Sequence, residues 1–288
     1  CELWVTWRRV PGGQRGRGRA LEGGMAREGA YVLVHSFERE AAEAVAAEVR
    51  KKGCAAGAVA GEMMTDKGAA GVVEAAGDID ILINNYGTAD PGSWERTEID
   101  GWIDAYQKNV LSAVRLTRGL MGAMKAKGWG RIVMLGTIGS TEPAARMPHY
   151  YASKGALATM TVSLAKELVG TGVTVNLVSP GLIRTKEVEE RFLKQGRERG
   201  WGETWEEVEP HVLKNFMGNL TGHIPLPEEI ADLVAFVASP LAGSRRMLPD
   251  PRTPPVAHCA GPALPAHSSE SAVRTLPNYH LSRGHGPG

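Results

Sequence analysis

The stretch from Gly130 to Pro180 constrains this chain more than any other. Gly130-Arg131-Ile132-Val133-Met134-Leu135-Gly136-Thr137 is an apolar run of strand length that ends in small and hydroxyl residues. Val173-Thr174-Val175-Asn176-Leu177-Val178 is a second such run, stopping at Ser179-Pro180-Gly181. Between them a helix beginning near Tyr150 places Leu157, Met160, Leu164, Ala165 and Leu168 at spacings of three and four, which predicts its buried face. A right-handed crossover of this kind makes the two strands parallel. Ligands in such sheets bind beyond the strand carboxyl ends, where Thr137 and Pro180-Gly181 fall.

Tyr150 and Lys154 lie one turn apart on that helix. A tyrosine titrates near ~10, and a cation held within several ångströms favours the phenolate by roughly one to three units. The pair is therefore a candidate proton donor. Taken alone it reads as a solvated Tyr and Lys on a helix surface, but it is not alone. Thr137 stands thirteen residues before Tyr150, and Asn109 forty-one before it. Asn84-Asn85-Tyr86-Gly87 closes the apolar run Ile79 to Ile83.

These residues in this order resemble the short-chain dehydrogenase/reductase family, and the resemblance covers about residues 11 to 243. It implies one doubly wound, Rossmann-like α/β domain over residues 1 to 243, a parallel sheet with helices on both faces, and hydride exchange between a nicotinamide cofactor and a ketone, aldehyde or alcohol. In such a protein Tyr150 transfers the proton, Lys154 lowers the tyrosine pKa and holds the nicotinamide ribose, and Thr137 hydrogen-bonds the carbonyl. Asn109 bends its helix and holds a water that connects the lysine to solvent. Gly12, Gly16 and Gly18 are in register with the family's glycine turn around the pyrophosphate. Asn85, Gly87, Pro180, Gly181, Ile183 and Thr185 would line the rest of the cofactor pocket, and Tyr86 replaces the usual alanine there. The family's adenine-contacting Asp would fall near Glu62 to Met64, where Glu62 is a weak substitute.

Relatives that prefer NAD carry an acid at the end of the second strand, where this chain has Ser36, and relatives that prefer NADP carry a basic residue where it has Arg15. A guanidinium suits a phosphate. NADP is thus the expected cofactor, with Glu38 keeping NAD possible.

Departures from the family pattern sit at the two ends. Residues 1 to 10 occupy the place of a wholly buried first strand, yet they include Arg8 and Arg9. Pro11 and Arg17 are further substitutions in the glycine turn, and the expectation is that residues 1 to about 20 leave the sheet edge or swing their arginines to water, either of which loosens the glycine turn. From Ser244 onward Pro, Gly, Ser and His dominate, without the family's seventh strand, so residues 244 to 288 read as a disordered or non-family tail. Residues 186 to 223, with Trp201, Trp205, Phe216 and Met217, correspond to the family's substrate lid; those apolar residues suit the core of a helical pair equally well. The run Asp100 to Met124 reads as one long helix with Ile103, Tyr106, Val110, Val114 and Met121 on a face. Leu226-Pro227-Glu228-Glu229 opens a last helix burying Ile230, Leu233, Val234 and Val237.

Composition bounds the partners. Hydrophobic residues make up 43% and charged residues 23%, enough for a sizeable core. Thirty-three basic against thirty-two acidic residues give a net charge of +1, which argues against nucleic acid and anionic membrane surfaces. No apolar run reaches membrane-span length and the first residues lack a leader pattern, so a cytoplasmic location is expected. Cys1, Cys54 and Cys259 form neither a disulfide framework nor a metal spacing, and no metal is expected. The family commonly pairs through the helices near 100 to 124 and 150 to 169, which implies a homodimer; a tetramer would also use the seventh strand. The alternative to turnover is a nucleotide-binding or interaction protein on the same fold, consistent with the altered ends but not requiring the full set Asn109, Thr137, Tyr150 and Lys154.

Overall fold

The computed structural model describes residues 6–9, 25, 30–215, 219 and 221–242, with the backbone alone for 6–9. Contacts divide the chain into Cys1–Leu248 and Pro249–Gly288, and every described residue lies in the first unit. Gly12, Arg15, Gly16, Gly18, Phe216, Met217 and the tail from Ser244 lie outside the described residues.

Six strands pair in parallel: β1 (Thr6–Arg9), β2 (Tyr31–Ser36), β3 (Ala56–Ala60), β4 (Ile81–Asn84), β5 (Gly130–Leu135) and β6 (Val173–Val178). Their order across the sheet is β3-β2-β1-β4-β5-β6, so the winding reverses between β1 and β4. This is the doubly wound architecture expected, with its crevice at the reversal. One of the two escapes expected for the arginines does not occur. The arginine-bearing first strand does not leave the sheet: Trp7 is in register with Val32 on one side and Ile81 on the other. Ladder bonds use backbone groups that every non-proline residue carries, so the charge of a side chain does not by itself forbid the pairing.

The strands β4 and β5 are largely apolar on both sides because helices cover both. Alternate residues serve different cores: Ile81, Ile83, Val133 and Leu135 join one cluster, Leu82, Ile132 and Met134 the other. Against the first cluster pack α1 (Arg39–Lys51), through Ala42, Val45, Ala46 and Val49, and α8 (Pro227–Ala238), through Ile230, Ala231, Val234 and Ala238. Against the second pack α2 (Asp66–Ala76) and α4 (Ser112–Lys127), the latter through Ala113, Leu116, Leu120 and Met124. Met25 is helical and buried in the first cluster, beneath β2.

The long helix read over 100–124 is three pieces: α3 (Ile99–Tyr106), a π-turn at Gln107–Leu111, and α4. The extra residue in the π-turn rotates everything beyond it by about 100°. Val110 is buried as expected, but Ile103 and Tyr106 are exposed. In α5 (Pro148–Glu167) Leu157 is buried, while Met160, Leu164 and Ala165 are only partly covered, and the buried positions include His149, Ser153, Lys154 and Thr161. Leu233 on α8 is also exposed rather than buried.

Residues 186–223 form a helical pair, α6 (Lys186–Arg199) and α7 (Trp205–Asn215). Phe192, Trp205, Val208, Val212 and Ile224 make a separate core between them, with Trp201 packed at its margin and stacked on His211. Of the aromatic residues expected here, Trp205 is thus core of the pair and Trp201 lies at its margin.

Candidate active site

The site forms where β4, β5 and β6 end. Gly136 N donates to Val178 O at 2.8 Å and Ile138 N to Pro180 O at 3.0 Å, which ties the loop after β5 to the one after β6. Thr137 is therefore held beside Pro180. Its hydroxyl oxygen accepts from Gly139 N at 3.3 Å and caps the short turn Ile138–Ser140, which leaves the hydroxyl proton to be donated elsewhere.

Helix α5 starts abruptly. Met147 has φ 62, the one non-glycine residue with positive φ among those described, and Pro148 opens the first turn. Such a conformation costs of order 1–3 kcal/mol and persists only where neighbours hold it. Here Met147 N donates to Gly92 O at 2.9 Å, and Tyr151 N returns to Met147 O at 3.2 Å. The loop after β4 thus clasps the start of the helix that bears Tyr150. Tyr150 itself is half-buried and its ring lies 5.3 Å from that of Tyr151.

Lys154 is 3% exposed and donates from Nζ to Leu135 O at 2.9 Å, the last carbonyl of β5. A buried ammonium needs such partners because desolvation is costly. Asn109, at the centre of the π-turn and 1% exposed, is saturated by hydrogen bonds: Oδ1 accepts from Thr88 N at 2.9 Å, and Nδ2 donates to Thr88 O at 3.1 Å and to Ser153 Oγ at 2.9 Å. Gly87 completes the cluster. A Cβ there would stand 2.9 Å from Lys154 Nζ and collide with Asn109 Oδ1, so the close approach requires glycine.

Two of the four expected catalytic positions, Asn109 and Lys154, meet at Gly87; Tyr150 stands one helical turn before Lys154, its carbonyl accepting from Ser153 Oγ, and Thr137 sits on the adjoining loop. The contributions of Thr88, Gly92 and Ser153 were not read from the sequence. Their signal was weak: Ser153 stands inside the Tyr150–Lys154 interval, and Thr88 and Gly92 lie in an unremarked loop.

Ser36 is buried at the end of β2, so no carboxylate stands there. Asn85 is 4% exposed with its Oδ1 meeting no hydrogen-bond partner, a buried acceptor that a ligand donor would satisfy. Gly87 leaves the cradle open, and these residues fit a nicotinamide dinucleotide. Ile183 is 5% exposed and its side chain belongs to the sheet core, so only its backbone is available to a ligand. Thr185 caps α6 through Val188 N at 3.3 Å. Pro180 is buried and Gly181 exposed. The ring of Tyr86 lies edge-on to Phe37 at 5.5 Å, half-buried at the mouth between β2 and β4; burial pushes its hydroxyl pKa up against the opposing pull of Lys108. Glu62 is engaged by Thr65, accepting from its N at 3.1 Å and its hydroxyl at 3.0 Å, so it is committed to the turn before α2 rather than to a ligand.

Fold, switch-point crevice and buried Asn-Lys cluster define a nicotinamide-type oxidoreductase of the doubly wound class. The chain belongs to the short-chain dehydrogenase family, whose sequence profile, described as short chain dehydrogenase, matches residues 9–196. It is similar to the uncharacterized oxidoreductase YvaG of Bacillus subtilis, 31% identical over 238 residues that span 82% of this chain and 89% of that protein. It is similar also to the 3-oxoacyl-[acyl-carrier-protein] reductase FabG of Haemophilus influenzae, 31% identical over 239 residues, 81% of this chain and 90% of the other. Among solved structures, L-sorbose reductase from Gluconobacter frateurii, complexed with NADPH and L-sorbose, superposes with a TM-score of 0.76 at 27% identity, covering 84% of this chain and 92% of that one.

Proposed function

We propose that this oxidoreductase uses NADP(H) to interconvert a ketone or aldehyde with an alcohol, with Tyr150 as the proton donor and acceptor. The observation that carries the reading is the buried convergence of Lys154, Asn109 and Gly87 at the ends of β4 and β5, one helical turn from Tyr150. A lone fold-keeping role would not require an ammonium at 3% exposure to be held there.

In this reading the ammonium of Lys154 stabilises the phenolate of Tyr150, so the hydroxyl can give a proton to a carbonyl oxygen or take one from an alcohol near neutral pH. The Thr137 hydroxyl donates to the same oxygen and orients it. Asn109 secures the π-turn against the loop at Thr88 and so holds the wall behind Lys154. When bound, the nicotinamide supplies the hydride. NADP over NAD is supported by Ser36 in place of an acid and by the NADPH complex of the similar L-sorbose reductase.

The same proposal takes the protein as a cytoplasmic homodimer. No helix among the described residues is long and apolar enough to cross a membrane. Ile103 and Tyr106 on α3 and Val162 on α5 are exposed apolar side chains on the two helices through which such a pair would form.

The test is NADPH oxidation, with NADH in parallel, over a panel of ketones and aldehydes that includes L-sorbose. Tyr150→Phe is expected to lose turnover by at least about 10²-fold while binding NADPH normally. Near-normal turnover by that variant would defeat the assignment, and equal affinity for NADPH and NADH would defeat the cofactor choice.

A further inference from the structure

Ser153 carries two hydrogen bonds that join separate elements. Its Oγ accepts from Asn109 Nδ2 at 2.9 Å and donates to the backbone carbonyl of Tyr150 at 2.7 Å. At 2% exposure the hydroxyl is out of reach of bulk water, so its single proton and its acceptor are both committed. The orientation of the Asn109 amide is not arbitrary, because Thr88 N must meet an oxygen and Thr88 O a nitrogen. The bonds therefore run in one direction, from the loop after β4 through the π-turn to the turn of α5 that bears Tyr150.

We propose that Ser153 is a positioning residue that sets the turn bearing Tyr150 relative to Lys154, and so tunes how strongly the ammonium lowers the tyrosine pKa. The inference rests on the reading of Tyr150 as proton donor. A serine bonded back to the carbonyl three residues earlier gains little for a helix by itself and tends to bend it. Its value here is the second bond, to Asn109. Without that bond the first turn of α5, which begins at the left-handed Met147, still has the hydrogen bond from Met147 N to Gly92 O but loses its link to the π-turn. A looser turn lets the phenol drift from the ammonium, and the tyrosine pKa moves back toward that of a free phenol.

Ser153→Ala removes the hydroxyl at nearly constant volume. The tyrosinate is titrated by ultraviolet difference spectroscopy without cofactor, using Tyr150→Phe as the background. We expect the Tyr150 pKa to rise by about half to one unit in Ser153→Ala, with kcat for alcohol oxidation falling about tenfold at neutral pH and KM changing less than about twofold. Adding Asn109→Ala should cost little more than Asn109→Ala alone, since both changes cut the same connection. Ser153→Thr keeps the hydroxyl and should titrate as the unmutated protein does.

An unchanged Tyr150 titration in Ser153→Ala, whatever its melting temperature, overturns the inference, as do losses from the two alanines that simply add. If Ser153→Ala does not fold, Ser153→Thr decides: a titration and kcat close to those of the unmutated protein uphold the brace, and a raised pKa overturns it. Loss of the proton-donor reading would show separately, as retained turnover in Tyr150→Phe.

Discussion

Helices α1 and α5 do the same topological work: each carries the chain from one strand of the sheet to its parallel neighbour, β2 to β3 and β5 to β6. Their buried faces differ in kind. α1 buries Ala42, Val45, Ala46 and Val49 and nothing polar, whereas α5 buries His149, Ser153, Lys154 and Thr161 beside Leu157. On α1 the hydrophobic effect alone explains the packing. On α5 each polar group demands a partner, and three have one: Lys154 at Leu135 O, Ser153 at Tyr150 O and Thr161 at Leu157 O. His149 is 4% exposed, its Nδ1 without a hydrogen-bond partner among the described residues and its ring edge-on to Trp102 at 6.1 Å. The difference teaches that α1 packs by the hydrophobic effect alone, whereas α5 buries polar groups, Lys154 among them, that the proposed function uses and that must be placed by partners.

The comparison breaks most visibly if exchanged substitutions fail to separate activity from stability. Lys154→Met keeps the length of the side chain and removes a buried charge. We expect turnover to fall by about 10² to 10⁴-fold while thermal stability holds or rises. Val45→Ala on α1 should do the reverse, lowering stability by about 1 to 3 kcal/mol with kcat unchanged. Paired melting curves and initial rates decide; if Lys154→Met unfolds the protein, or Val45→Ala impairs kcat, the two helices are not divided as described.

A smaller effect is expected at Gly87, which lies against the α5 face but belongs to the loop after β4. Gly87→Ala drives a methyl toward Lys154 Nζ and Asn109 Oδ1. Displacing both should reduce turnover by on the order of tenfold, given how steeply rate depends on placement, and leave the fold intact. Steady-state kinetics with circular dichroism check this. Full activity would mean the cluster yields more easily than its burial implies.

The smallest effect concerns pH, at two surface clasps beside the sheet. Arg184 Nη2 donates to Glu189 Oε1 at 2.7 Å and holds the Glu189 carboxyl below its ordinary 4.5, so this clasp stabilises fully above that value and is lost as pH falls through the lowered pKa. His223 Nε2 lies 3.2 Å from Glu229 Oε1, which holds the imidazole above its ordinary 6.5. That contribution is present below 6.5 and is lost as pH rises through the raised value. Both clasps are therefore engaged between about 4.5 and 6.5. Hydrogen exchange at the Leu226 amide, which donates to Glu229 Oε2 at 2.7 Å, should accelerate above this window beyond the intrinsic base dependence. An intrinsic slope throughout would remove the His223 clasp from consideration.

Much of this arrangement was legible beforehand because it is local. Alternation of apolar runs with turn residues placed β4, β5 and β6 within a few residues, and Leu226-Pro227-Glu228-Glu229 announced α8, whose Glu229 carboxylate returns to Leu226 N as a cap. The spacing of Asn109, Thr137, Tyr150 and Lys154 is likewise a property of the linear chain, and it was enough to indicate the family. Helix faces were read less well. The count of three and four that assigned Ile103 and Tyr106 to a buried face assumes an unbroken helix, and the π-turn around Asn109 removes that assumption. Asn109 makes this turn a junction by bonding to Thr88, twenty-one residues away, and to Ser153, forty-four away.

Most of the strands and helices, their parallel winding and the chemical groups at the strand ends are written in the linear chain, because periodicity, turn residues and motif spacing act over short stretches. Three-dimensional packing settled that the arginine-bearing β1 pairs inside the sheet, that Ile183 turns into the core, and that Thr88, Asn109, Ser153 and Tyr150 form one connected line. Those outcomes depend on which groups meet across distant elements once water is excluded, and a buried polar group is placed by its partner rather than by its neighbours in the chain.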